Sequence, residues 1–165
     1  MIEAFQRAGP TFLVVLSLVA CAQTAGGPRP KTESPVGSQP SPEGQVIIDT
    51  GAEPVEVNVE IAETPEEQGR GLMGRTELDA DAGMVFLVEQ PVATSFWMKD
   101  TLIPLSIAFW DERGRIHTIL DMEPCRSDPC TSYFPSQPWS GALEVNRGFF
   151  ADNGVKVGDR ARVER

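Results

Sequence analysis

The sequence predicts a mainly-β fold: a compact barrel-like or sandwich domain with one or two short helices. Three observations carry that prediction. Val55 to Ile61 (VEVNVEI) alternates apolar and polar residues without a break, the period-2 pattern of a half-buried strand. Several further short apolar runs follow, each bounded by Gly, Pro, Asp or Asn. Only two short segments carry helix signals, and many short strands with few helices suit a sandwich or partly closed barrel.

The elements can be justified in chain order. Val55–Ile61 places Val55, Val57, Val59 and Ile61 on one face and Glu56, Asn58 and Glu60 on the other, which reads as a half-buried antiparallel strand. Thr64-Pro65-Glu66-Glu67 then starts a helix, with Thr64 as N-cap, Pro65 in the first turn and Glu67 closing a capping box. Gly69, Gly71 and Gly74 weaken that helix by about 1 kcal/mol each against Ala. Glycines at such a cost predict close backbone approach to a strand or a ligand. Met84–Val88, Ser95–Met98, Leu105–Trp110 and Ile116–Met122 read as strands, the last two joined by a hairpin turn at Asp111-Glu112-Arg113-Gly114. Ala142–Asn146 is a further strand. Arg147–Asn153 suits a short helix stopped by Gly154, and Arg160–Val163 closes the chain as a strand.

The N-terminal region stands apart. Phe12 to Ala20 (FLVVLSLVA) is an apolar run of nine residues, far short of the ~20 that a spanning helix needs. It ends at Leu18-Val19-Ala20-Cys21, small residues before a cysteine. Residues 1–20 are therefore read as a signal peptide, and Cys21 as the lipidated first mature residue of a bacterial lipobox. Residues 21–45 form a lipid-anchored disordered tether: Ala22 to Gln45 holds five prolines, four glycines and Val36 as its one large apolar residue, too little to repay the entropy of ordering. Residues 46–165 are the single mainly-β domain. This places the protein in the bacterial cell envelope, extracytoplasmic and membrane-anchored through lipid.

Charge and cysteine content narrow the function classes. A formal charge of −10, with fourteen basic residues scattered singly, argues against a nucleic-acid partner, which needs clustered Lys and Arg. One histidine in the chain argues against a zinc site, which takes about four ligands, and no motif points to a cofactor. With Cys21 committed to lipid, Cys125 and Cys130 remain, and an oxidising compartment favours a structural disulfide between them.

Strand parity sorts the stretch SFWMKDTLIPLSIAFW, Ser95 to Trp110. Phe96, Met98, Leu105, Ile107 and Phe109 fall on the core face. Trp97, Lys99, Ser106, Ala108 and Trp110 fall opposite. That second face floors a shallow groove for a sugar or peptide, with indole stacking area and an ammonium, unless another layer covers it as in a small barrel. Arg70 and Arg75, which bracket the glycine-rich helix, and Glu144 on a strand admit two readings: a buried Arg–Glu pair tying helix to sheet, or convergence of Arg75, Lys99 and Glu144 as an anion-recognition or acid–base cluster. A Ser106–His117–Asp121 triad can be written, but no nucleophile-elbow motif supports it. Tyr133, Phe134 and Trp139 lie in a Pro-rich loop.

Gly71-Leu72-Met73-Gly74-Arg75, Gly83-Met84-Val85-Phe86, Phe96-Trp97-Met98-Lys99-Asp100-Thr101 with Ile103-Pro104-Leu105, Leu143-Glu144-Val145-Asn146 with Gly148, and Gly154-Val155-Lys156-Val157-Gly158-Asp159 together resemble domain of unknown function family 192. The resemblance spans roughly Val55 to Val163 and implies a compact barrel-like domain. It transfers no activity, because the family carries none. Where relatives read Pro-Leu-Asp, this chain reads Pro104-Leu105-Ser106.

The functional expectation is a tethered binding domain for a small molecule, a cell-wall glycan or a partner protein, with Arg75, Trp97, Lys99, Trp110 and Glu144 as binding residues. The competing expectations are an envelope hydrolase or transferase using Glu144 and Asp100 as an acid–base pair, and a purely structural envelope protein.

Overall fold

The computed structural model describes residues 41–165. The expected signal peptide, the expected lipidation site at Cys21 and all but the last five residues of the expected tether lie outside the described residues.

Nine strands and two short helices form in the order β1 (Gly44–Asp49), β2 (Val55–Ala62), α1 (Pro65–Arg70), β3 (Ala82–Val92), β4 (Phe96–Trp97), β5 (Leu105–Trp110), β6 (Ile116–Met122), β7 (Ser132–Tyr133), β8 (Trp139–Asn146), α2 (Phe149–Asp152) and β9 (Arg160–Glu164). Seven strands make one curled sheet in the order β6-β5-β8-β3-β2-β1-β9, and β4 pairs with β7 in a small separate ribbon. The expected mainly-β, barrel-like architecture is present. Among the described residues no helix is long and apolar enough to cross a membrane.

Local signals act as written. Thr64 accepts the Glu67 N–H, and the Glu67 carboxylate returns the bond to the Thr64 N–H, completing the capping box. Strand β2 departs from expectation on one side: it runs antiparallel to β1 but parallel to β3. A parallel pair needs a crossover, and the α1 segment supplies it. Strand β1 starts at Gly44, paired to Val59, so the domain begins two residues inside the segment read as tether. Strand β7 falls in the segment read wholly as loop.

The sheet curls until its edges meet at one end. Ile116 at the start of β6 donates to the Asp159 carbonyl, Gly158 donates back to Ile116, and Ala161 in β9 donates to Gly114. Inside the curl lies one core: Val46, Ile48, Val57, Val59, Val85, Ala108, Trp110, Ile116, Leu143, Val145, Phe150 and Ala161 among others. Outside it, over β3, β5 and β8, lies a second core of Leu72, Met84, Phe86, Met98, Ile107, Phe109, Trp139 and Ala142 among others, roofed by the α1 segment and the β4–β7 ribbon. The central strands are thus buried on both faces. A bulge between Phe109 and Trp110 resets the pairing at β6, so Ile116 joins the inner core while Leu120 and Met122 join the outer one.

The second face of the β4–β5 stretch therefore divides. Trp110, expected on a groove, is 5 % exposed and packs inside the curl, because β5 has the barrel interior behind it. Its indole lies over Gly141 of β8, where any Cβ would overlap the ring. Trp97 is on the ribbon outside and remains 53 % exposed.

The disulfide expected between Cys125 and Cys130 is present. The Cys125 N–H donates to the Met98 carbonyl, so the bridged loop is tied to the end of β4.

Gly141→Ala overpacks the inner core and costs about 1–3 kcal/mol. Pairing it with Trp110→Leu recovers part of that loss, read as a coupling in a urea-denaturation double-mutant cycle.

Candidate functional site

Glu144 is the feature on which a site can be built. It lies mid-strand in β8, directly opposite Met84 of β3 and Ile107 of β5, on the face that carries the outer core. Its side chain reaches a small cavity of about 30 Å³, lined by Gln68 to Met73, Phe86, Phe96, Trp97, Thr101 and Glu144 itself. That volume suits one water molecule or one small polar headgroup, not a sugar ring.

The walls are built locally. Helix α1 ends at Gly71, whose φ of 47° and ψ of −136° suit glycine. A Cβ there would stand 3.4 Å from the Phe86 ring. That is ordinary contact, and added Cβ atoms at Gly69 and Gly74 would meet nothing within 4 Å, so the close approach expected for the glycine run does not occur; positive φ at Gly71 and Gly74 is what favours glycine there. Gln68 donates its amide to the Leu87 carbonyl at 2.8 Å, fixing α1 on β3. Gly74 donates to the Asp100 carbonyl at 2.8 Å, joining the glycine loop to the bend after β4. In that bend Asp100 takes φ 54°, and the Thr101 hydroxyl donates to the Lys99 carbonyl at 3.4 Å.

Glu144 is 5 % exposed and has no hydrogen-bond or ion-pair partner among the described residues. Burial alone pushes its carboxyl up from 4.5 to about 8, so at neutral pH it holds its proton. A neutral acid facing a cavity can donate an O–H and accept through its carbonyl.

The expected site residues separate. Trp97 and Glu144 line the same cavity. Lys99 folds over the Trp97 ring, Nζ 5.6 Å from its centre, a cation–π distance. Arg75 does form an Arg–Glu pair tying the helix segment to the sheet, but with Glu60 of β2: Nη2 lies 2.7 Å from both carboxylate oxygens. Glu60 and Glu144 share a row across the sheet with Met84 between them, about 10 Å apart at ordinary strand spacing. Arg75 does not line the Glu144 cavity. Trp110 is removed to the inner core, as described above.

Ser106, Asp121 and His117 do not form a triad. Ser106 donates to Asp121 at 2.5 Å and accepts the Gly148 N–H at 2.9 Å. His117 lies four residues before Asp121 in β6, about 13 Å away, with Nδ1 against Thr118. Thr118 in turn bonds Ser136, pinning the aromatic loop to β6. Trp139 is buried in the outer core and donates to the Thr94 carbonyl. Among the described residues no cluster of three metal-ligating side chains occurs.

Arg70 and Thr101 complete the cavity and were not among the expected binding residues. Arg70 brackets the glycine run, where the sequence offers it only as one end of an Arg–Glu tie that it does not form, and Thr101 ends the FWMKDT stretch, where spacing assigns it no role. A larger depression, about 870 Å³, lies elsewhere, among Glu56, Asp81, Asn146, Arg147, Phe149 and Asp152. Exposed side chains form most of its lining, so it is open surface and not a desolvated site.

Between pH 4.5 and 8 the folded chain keeps a proton at Glu144 that the unfolded chain has lost. Stability from this group is therefore full at acid pH and declines as pH rises, by about 1.4 kcal/mol per unit, levelling off above 8. In Glu144→Gln that slope disappears and the protein is a few kcal/mol more stable at pH 8 than the parent, checked by urea unfolding from pH 5 to 9.

Comparison with known proteins places this geometry in a family. No curated protein matches the chain. Among solved structures, it is similar to a protein of unknown function from Novosphingobium aromaticivorans DSM 12444, 34 % identical, with 72 % of this chain and 83 % of that one covered and a TM-score of 0.67. It is also similar to a protein from Sinorhizobium meliloti 1021 solved as a "putative transcription regulator", 29 % identical, with 76 % of this chain and 98 % of that one covered and a TM-score of 0.67. The model of the DUF192 family, described as "Uncharacterized ACR", matches residues 46–163. The cavity, the α1 crossover and all but the outermost ends of β1 and β9 of the curled sheet fall within that match, and the chain belongs to the DUF192 family.

Proposed function

We propose that this chain is an envelope-tethered binding protein. Lipid on Cys21 holds it at the membrane, and its domain takes a small molecule, a cell-wall glycan or a partner protein. The ligand lies against Trp97 and Lys99 and sends one polar group down to Glu144. The observation that carries this reading is the partnerless buried carboxyl of Glu144 beneath a half-exposed indole. Burying an unpaired carboxyl costs stability, and a ligand that hydrogen-bonds it returns part of that cost.

The acid–base enzyme reading has weaker support. Asp100 is exposed and does not line the cavity with Glu144, so a facing pair of carboxyl groups is missing. The regulator description of the Sinorhizobium protein is not carried over, because a chain of net charge −10 lacks the basic surface that DNA requires.

Trp97 reports the proposed contact directly, since Trp110 and Trp139 are buried. Titrating the full chain with muropeptides, sugars and small metabolites should shift indole emission, and Trp97→Ala should abolish the shift while leaving the fold intact. Flat emission and unchanged amide NMR shifts across the panel would sink the binding reading. Cys21→Ala should move the protein from the membrane fraction to the soluble one, read by fractionation and immunoblot. Continued membrane association would remove the anchor from the proposal.

A further inference from the structure

Although the chain is strongly acidic, the mouth of the Glu144 cavity is edged by basic side chains. Arg70, the last residue of α1, lines it, and Lys99 lies across the neighbouring Trp97. Arg70 joins no ion pair among the described residues. Glu67, on the same helix, gives its carboxylate to the backbone N–H groups of Glu63 and Thr64. Glu60, in the same sheet row, is held by Arg75.

The groups facing Glu144 can be taken element by element. Strands β3 and β5 present Met84, Phe86 and Ile107, and the α1 segment presents Gln68 and Arg70. The β4 ribbon and its bend present Phe96, Trp97 and Thr101. Arg70 alone among these carries charge. Thr101 and Gln68 already donate to backbone carbonyls. The free donor inside the cavity is therefore the acid of Glu144, and the nearest cation is exposed Arg70, which also lies in the field of the Glu60 and Glu67 carboxylates without closing an ion pair to either. A cation entering would pass Arg70 and Lys99 before reaching Glu144. An anion would be drawn in by both and would meet an O–H donor.

Resting on the binding reading above, we infer that this cavity takes the terminal carboxylate of a ligand, hydrogen-bonded by the Glu144 carboxyl, paired with Arg70 and with its apolar body against Trp97. The volume of about 30 Å³ admits that headgroup and little more. The carboxylate belongs either to a free small acid or to a peptide C-terminus.

Trp97 emission of the full chain, titrated at pH 6, 7 and 9, tests this with four probes. They are 3-phenylpropionate, a hexapeptide with a free C-terminus, the same peptide amidated, and 3-phenylpropylamine. The inference expects the acid, the free peptide or both to bind, which also assigns the source, and expects the amidated peptide and the amine to fail. Affinity should drop about tenfold from pH 7 to 9 as Glu144 loses its proton, since only the protonated fraction is competent. Arg70→Ala, at an exposed position, should weaken binding at least tenfold at pH 7. Glu144→Gln keeps an N–H donor, so it should still bind but lose the pH step. Binding by the amine that tightens with rising pH, or equal binding of the amidated peptide, overturns the carboxylate inference and leaves the binding reading standing. Silence from all four probes overturns the inference, while the binding reading is judged separately on the glycan and metabolite titrations.

Discussion

Burial of β8 on both faces is the constraint from which the rest of the molecule follows. A strand in the middle of a curled sheet has no solvent side, so every position must pack or be satisfied internally. Gly141, Leu143 and Val145 turn into the curl, where Gly141 makes room for the Trp110 indole. Ala142 and Glu144 turn outward beneath a second layer. That layer exists because the outer faces of β3, β5 and β8 are apolar and need a roof, supplied by the α1 segment and the β4–β7 ribbon. Glu144 is the polar exception in this row, set between Met84 and Ile107. Its raised carboxyl pKa is a direct product of the same two-sided burial.

Much of the fold was legible because its signals are local. The alternation of Val55–Ile61, the Thr64–Glu67 box and the punctuated runs of β5 and β6 each specify an element without reference to distant residues. Parity also sorted the side chains of β4 and β5 into two sets correctly. It could not say what lay opposite each set, because that depends on how the sheet curls. Trp97 and Trp110 fall in the same set, yet one meets solvent and the other the barrel interior. The Arg75 pairing shows the same boundary: an Arg–Glu tie was readable, but Glu60 and Glu144 are both acidic residues on strands of one sheet, and choosing between them required strand order. The isolation of Glu144 had no sequence signal at all, since lacking a partner is a relation among surrounding residues.

Ser106 clarifies the departure from the resembled Pro-Leu-Asp pattern. Its hydroxyl accepts the Gly148 N–H and donates to Asp121 on the adjacent strand. Asp121 in turn stands 3.9 Å from Arg147. The carboxylate is thus presented from β6 through a buried serine, one strand removed, at the start of α2. This is a packing solution just past the end of β8, away from the Glu144 cavity.

The parallel pairing of β2 with β3 has a consequence for how such a site can vary. Antiparallel neighbours can be joined by a two-residue turn, but parallel ones oblige the chain to travel back across the sheet. Here the return path between Ala62 and Ala82 supplies Gln68 to Met73, more than half of the cavity's lining. The lid is therefore encoded by a connection, pinned by the backbone of Gly71, the Gln68 bond to β3 and the buried Leu72, while the floor is encoded by a strand. Changes at the exposed positions of the span, Arg70 among them, would alter what enters the cavity and leave the barrel untouched.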